Sequence, residues 1–135
     1  MKGKLRHVAI AVPDIEATAQ FYEKTFGMER INEIKTDNFG NGISLSDGVV
    51  NLTILNFPTD ESAGDERGKD FVGIHHVGFI VDDLKEAGTT VVEQGGTYHK
   101  EIGTEDDFTG FERKYRDPNG IVVDVSRAWV GTTDV

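Results

Sequence analysis

Cysteine is absent from this chain of 135 residues, which excludes a disulfide framework, thiolate metal ligands and a cysteine nucleophile. Basic charge is scarce: 14 Lys and Arg stand against 24 Asp and Glu, for a formal net charge of −10. A phosphate backbone needs a basic stripe, so nucleic acid is excluded as a partner. The densest charge runs, 60–70 and 101–107, are mainly acidic and read as solvated loops. No run approaches the about 20 apolar residues of a membrane span, so no membrane partner is expected. The opening six residues lack the apolar core of a secretory signal. A cytoplasmic location is therefore expected by exclusion. At 37% hydrophobic residues, a single domain of this length can fold without a metal, so a metal here would serve chemistry.

Two segments align without gaps, His7-Val8-Ala9-Ile10-Ala11-Val12-Pro13-Asp14-Ile15 and His76-Val77-Gly78-Phe79-Ile80-Val81-Asp82-Asp83-Leu84, 69 residues apart. That spacing is about half the chain and predicts two modules of one design, 5–57 and 71–126, joined by a polar linker over 58–70 and followed by a tail over 127–135. Each segment ends at an aspartate placed to cap a helix, Asp14 and Asp83. Ile15, Ala19, Tyr22 and Phe26 then form one apolar stripe ended by Gly27, and Leu84, Ala87, Val91 and Val92 a shorter one ended by Gly95-Gly96. Extended runs follow at 30–35, 43–46 and 49–56, and again at 98–102, 111–116 and 121–126. Asp47-Gly48 and Asp117-Pro118-Asn119-Gly120 supply turns. Both modules read βαβββ, an α+β design.

Strand side chains alternate between faces. Val8, Ile10 and Val12 should pack on one helix, and Val77, Phe79 and Val81 on the other. The opposite rows carry His7 with Ala9 and Ala11, and His76 with Gly78, leaving open space beside each imidazole. The last strand of each module sets a polar residue on the same face, Asn51 and Asp124, at equivalent places in the two copies. If the modules pair so that these faces meet, His7, Asn51, His76 and Asp124 converge. Two imidazoles and a carboxylate suit a divalent ion such as Mn, Fe, Co, Ni or Zn, with positions left for water or substrate. His75 is expected to point to the other face and His99 to lie near a loop, both structural or exposed. Glu112 reads as solvent-facing, with a weak claim to be the base, and Tyr115 as a packed aromatic.

From Leu5 to Ser126 the chain resembles the vicinal oxygen chelate superfamily, on the two histidine segments and on the closing Asp117-Pro118-Asn119-Gly120-Ile121-Val122-Val123-Asp124. The resemblance implies paired βαβββ modules whose curved mixed sheets enclose a cup, a homodimer, and a divalent metal that binds vicinal oxygens of a small-molecule substrate. By position His7, His76 and Asp124 match the metal ligands, and Asn51 falls where family members place glutamate or glutamine. Asp124 replaces the usual glutamate and is shorter by one methylene, about 1.5 Å of reach. The resemblance implies a glyoxalase-like lyase or CoA-thioester epimerase-like isomerase, moving a proton next to a carbonyl through a metal-stabilised enolate, with Asp124 as its catalytic carboxylate. The alternatives are an Fe(II) extradiol-type dioxygenase and a non-catalytic, bleomycin-resistance-like sequestering protein. The tail's Trp129, the only tryptophan, is expected to cover a sheet edge or dimer seam.

Overall fold

A computed structural model describes residues 2–36, 40–64, 67–104 and 111–133. Parts of both acidic runs, 65–66 and 105–107, and the last two residues of the tail lie outside the described residues. The first half runs β1 (Lys4–Ala11), α1 (Ile15–Phe26), β2 (Glu29–Thr36), β3 (Gly40–Ser46) and β4 (Asn51–Asn56). A four-residue helix, α2 (Asp60–Ala63), interrupts the expected linker, capped at Thr59. The second half runs β5 (Gly73–Ile80), α3 (Leu84–Glu93), β6 (Thr97–Ile102), β7 (Glu112–Arg116) and β8 (Val122–Ser126). The order βαβββ thus occurs twice. Among the described residues no helix is long and apolar enough to cross a membrane.

Both helices begin where the aspartates placed them. The Asp14 carboxylate accepts the Ala17 N–H, and Asp83 accepts those of Lys85 and Glu86, each cap contributing about 1 kcal/mol. Gly27 closes α1 at φ 71°, a left-handed conformation that favours glycine. Ile15, Ala19 and Tyr22 of the predicted stripe pack with Ile10 of β1 and Val12 just beyond it on Ile43, Leu45 and Ile54. Leu84, Ala87 and Val91 pack with Phe79, Val81, Tyr115 and Val125. Phe26 and Val92, the last member of each stripe, stay exposed instead. The Phe26 ring meets Phe21 and Tyr22 rather than the sheet.

The strands form one sheet in the order β2-β3-β4-β1-β5-β8-β7-β6, the two halves joined through antiparallel β1–β5 pairing. Within each half the first and last strands are parallel neighbours, β1 with β4 and β5 with β8. Laid flat, eight strands would put β2 and β6 about 34 Å apart. Yet Asn32 and Ile34 of β2 line the same cavity as His99 and Ile102 of β6. The sheet is therefore rolled into a cup, with α1 and α3 packed on its outer face.

The β1–β5 ladder is irregular at two places. Leu5 pairs with Phe79 and His7 with Gly78, while Ala9 pairs with His76 and Ile10 with Ile74. One residue is extra in each strand, Arg6 and His75, and each immediately precedes a histidine of the repeat. Bulges of this kind bend a strand and re-aim its side chains.

Because one sheet spans both halves, a defect in the first core should weaken the whole. Leu45→Ala, at a fully buried position, is expected to cost about 2–5 kcal/mol. Its urea midpoint should fall equally by far-ultraviolet dichroism and by Trp129 fluorescence, although Trp129 lies beyond the last strand.

Candidate metal centre

β1 and β5 deliver the two repeat histidines to the inner face of the cup, with both side chains buried. Their Nε2 atoms stand 3.1 Å apart, and His76 Nε2 stands 3.1 Å from Asp124 Oδ2 on the neighbouring β8. Octahedral ligands at about 2.1–2.2 Å from an ion lie about 3.0–3.1 Å from one another along each edge. Asp124 is fully buried, and its second oxygen, Oδ1, has no hydrogen-bond partner among the described residues. Two imidazole nitrogens clustered with a buried carboxylate, one of whose oxygens has no donor among the described residues, fit a divalent ion. His7, His76 and Asp124 all come from one chain.

Asn51 lies beside His7 on the parallel neighbour β4. Its Oδ1 accepts from His7 Nδ1 at 2.8 Å and from Thr53 Oγ1 at 2.7 Å, and its Nδ2 donates to the Val130 carbonyl at 3.1 Å. Ser44 completes the chain by bonding Thr53 at 2.9 Å. Asn51 and Asp124 are not at equivalent places, as the repeat suggested. Asn51 pairs with His7, whereas Val122 pairs with His76 and Asp124 with Gly78 two residues on. The counterpart of Asp124 is Thr53.

His75 departs from the expected alternation. The bulge turns its ring toward the cup, where His75 Nδ1 lies 2.8 Å from His76 Nδ1. His99, the extra residue of a bulge in β6 where Tyr98 and Lys100 pair on either side of it, also lines the cavity. Tyr115 lies in the core beneath α3, as a packed aromatic should.

Lys114 and the placement of Trp129 escaped sequence reasoning, and Glu112 had only a weak claim there. Lys114 on β7, two residues from the Glu112 read as solvent-facing, is only 6% exposed. Its ammonium donates to Asp124 Oδ2 at 2.7 Å and stands 3.3 Å from Glu112 Oε2. Glu112 reaches the cavity as well. The signal was present in the β7–β8 hairpin, whose register around the Asp117–Gly120 turn sets Lys114 directly opposite Asp124. Trp129 covers no edge: it folds into the cup, stacks on His7 at 4.9 Å and 5°, and donates from Nε1 to Glu112. The space beside the imidazole is consequently filled. A Cβ on Gly78 would lie 2.7 Å from the indole, so the missing side chain makes room for Trp129.

Burial pushes the His7 imidazolium down to about 3, reinforced by His76, so the ring is neutral and able to offer a lone pair. Burial alone would raise Asp124, but Lys114 and His76 outweigh it and hold the carboxyl well below its usual range. Burial would likewise lower Lys114, and Asp124 and Glu112 hold it above its ordinary value instead. The centre opens on a cavity of about 320 Å³ whose wall includes Ser44, Thr53, Phe57 and Val122.

A family model described as the Glyoxalase/Bleomycin resistance protein/Dioxygenase superfamily matches residues 4–125. An ethylmalonyl-CoA/methylmalonyl-CoA epimerase of Cereibacter sphaeroides is 36% identical over 70% of this chain and 78% of its own. A probable lactoylglutathione lyase of Vibrio parahaemolyticus is 28% identical over 72% of this chain and 79% of its own. Among solved structures, a methylmalonyl-CoA epimerase variant of Streptomyces coelicolor superposes with a TM-score of 0.75 at 19% identity, covering 96% of this chain and 97% of that one.

The neutral buried imidazole sets a pH dependence. Unfolded, His7 takes up a proton near pH 6.5, whereas folded it resists protonation down to about 3. Over that window the unfolded chain binds more protons, so stability falls as pH drops, by up to about 1.4 kcal/mol per unit. Urea midpoints measured from pH 7 to pH 4 should decline for the wild type and decline less for His7→Gln.

Proposed function

This chain belongs to the glyoxalase/bleomycin resistance protein/dioxygenase superfamily, and we propose that within it the protein is a divalent-metal-dependent epimerase or lyase that moves a proton next to a carbonyl. The substrate class is a small carbonyl compound or CoA thioester, as the names of the relatives suggest. The observation that carries this reading is the triangle of His7 Nε2, His76 Nε2 and Asp124, beside a cavity whose wall includes both histidines, with Asp124 Oδ1 lacking a donor among the described residues. His7, His76 and Asp124 would hold the ion. When bound, it supplies Lewis-acid stabilisation of negative charge growing on a carbonyl oxygen.

The chain's own residues do the rest. His7 keeps its proton on Nδ1, held by Asn51, and turns a lone pair inward; His76 can do the same by donating from Nδ1 to His75. Asn51, with both Oδ1 lone pairs in use, acts through His7 rather than as a ligand. Asp124 is not among the residues lining the cavity, and Lys114 and Glu112 are. The proton-moving role therefore passes from Asp124 to Glu112, a carboxylate steadied by Trp129 Nε1 and Lys114. The indole lies against that carboxylate and, with Ile102 and Val122, gives the same cavity an apolar wall. The homodimer and a cytoplasmic location expected earlier belong to the same proposal.

Titration with Mn, Co, Ni and Zn is expected to give one ion per chain, with His76→Ala weaker by at least about 100-fold. In D₂O the loaded protein should exchange the α-proton of methylmalonyl-CoA or S-lactoylglutathione. Glu112→Gln should slow that exchange about 10²–10⁴-fold while binding metal normally. Oxygen consumption without exchange would replace this reading with the dioxygenase one.

A further inference from the structure

The tail beyond β8 makes more contacts with the centre than a cover needs. We propose that residues 129–131 are a positioning strap that fixes the tautomer of His7, and so sets how strongly the centre holds a divalent cation; the second clause rests on the function proposed above.

The logic follows from what each atom can do. The Val130 carbonyl only accepts, so the Asn51 group facing it at 3.1 Å must be Nδ2, which donates. That orients the amide and leaves Oδ1 facing His7 Nδ1 at 2.8 Å. An amide oxygen also only accepts, so His7 carries its proton on Nδ1. In that tautomer the Nε2 lone pair faces His76 Nε2 at 3.1 Å, on the side of the centre where Asp124 lies. A free neutral histidine favours the opposite form, with the proton on Nε2, which would block the ligand position.

The strap is built to stay in register. Trp129 lies flat on the His7 ring, over Gly78, and its Nε1 donates to Glu112. Thr132 Oγ1 donates back to the Trp129 carbonyl at 2.8 Å. The Ser46 hydroxyl donates to the Gly131 carbonyl, and Arg6 Nε to the Thr133 carbonyl at 3.0 Å. Gly131 sits at φ +75°, where a Cβ would lie 2.6 Å from Ile31 Cδ1 and 2.8 Å from Ser46 Cβ. A side chain at 131 would lift the strap without touching any residue of the centre.

The test reads ring-nitrogen signals of the full chain by ¹⁵N-correlated NMR, without metal, for wild type, Gly131→Val and Phe26→Ala, and titrates each with Co(II). Wild-type His7 is expected in the Nδ1–H form. Gly131→Val should show Nε2–H signal and bind Co(II) about 10- to 100-fold more weakly, whereas Phe26→Ala, at an exposed ring of α1, should match wild type in both. If Gly131→Val does not fold, Asn51→Ala replaces it, with the same shift to Nε2–H expected. Wild-type His7 in the Nε2–H form would overturn the proposal. So would a folded Gly131→Val with red-shifted Trp129 emission but an unchanged tautomer and Co(II) affinity. Failure of the wild type to bind Co(II) would remove the metal reading, and the tautomer comparison would still decide the strap.

Discussion

Antiparallel pairing of β1 with β5 is the contact on which the rest of the molecule depends. It is the seam through which the two βαβββ halves become one sheet, and it carries both repeat histidines toward the same hollow. Register is decisive there, because a one-residue slip of a strand exchanges its faces. Such a slip would turn His7 or His76 outward and carry Val8 or Val77 into the cup. The bulges at Arg6 and His75 concentrate local twist just before each histidine. In the second half the same irregularity also brings His75 onto the inner face, so one local distortion supplies both an inner imidazole and the neighbour that bonds it.

Around that seam the polar groups form a continuous chain, joined in the middle by His7 and His76. Ser44, Thr53, Asn51 and His7 bond in succession on one side, and Glu112, Lys114, Asp124 and His76 adjoin one another on the other. Burying this many polar groups is costly unless each has a partner, and apolar replacements of like volume often stabilise a fold more. A core selected for stability alone would not need such an arrangement. Its tolerable cost comes from pairing: the Lys114 ammonium lies against the Asp124 carboxylate, and His7 gives up its charge altogether.

Much of this was legible in the amino-acid sequence because internal repetition does the work of comparison. His7 and His76 stand out through the shared segments around them, and Asp14 and Asp83 mark the helix starts by a capping chemistry that depends on a few neighbouring residues. Asp124 stands out as a carboxylate in an otherwise apolar strand. What escaped was whatever depends on register or on aperiodic chain. Strict alternation sends His75 to the wrong face, since a bulge has no signature in residue type here. The equivalence of Asn51 with Asp124 fails by two residues of parallel pairing. Lys114 was not singled out, although counting outward from the Asp117–Gly120 turn places it across from Asp124. Trp129 follows the last strand, where no periodicity says which way the chain turns, and Gly78, read as open space, is the berth it fills.

The Lys114 ammonium has a consequence for how the molecule is made. In small zinc-dependent domains the polypeptide cannot collapse until an ion arrives to quiet its ligands. Here the carboxylate at the bottom of the cup is already answered by a covalently attached cation, so the nascent polypeptide carries its own counter-charge and can mature before it meets any ion. Under the proposed function, loading would then be a separate, reversible event in the protein's life, governed by whichever ions its surroundings supply rather than by the moment of synthesis.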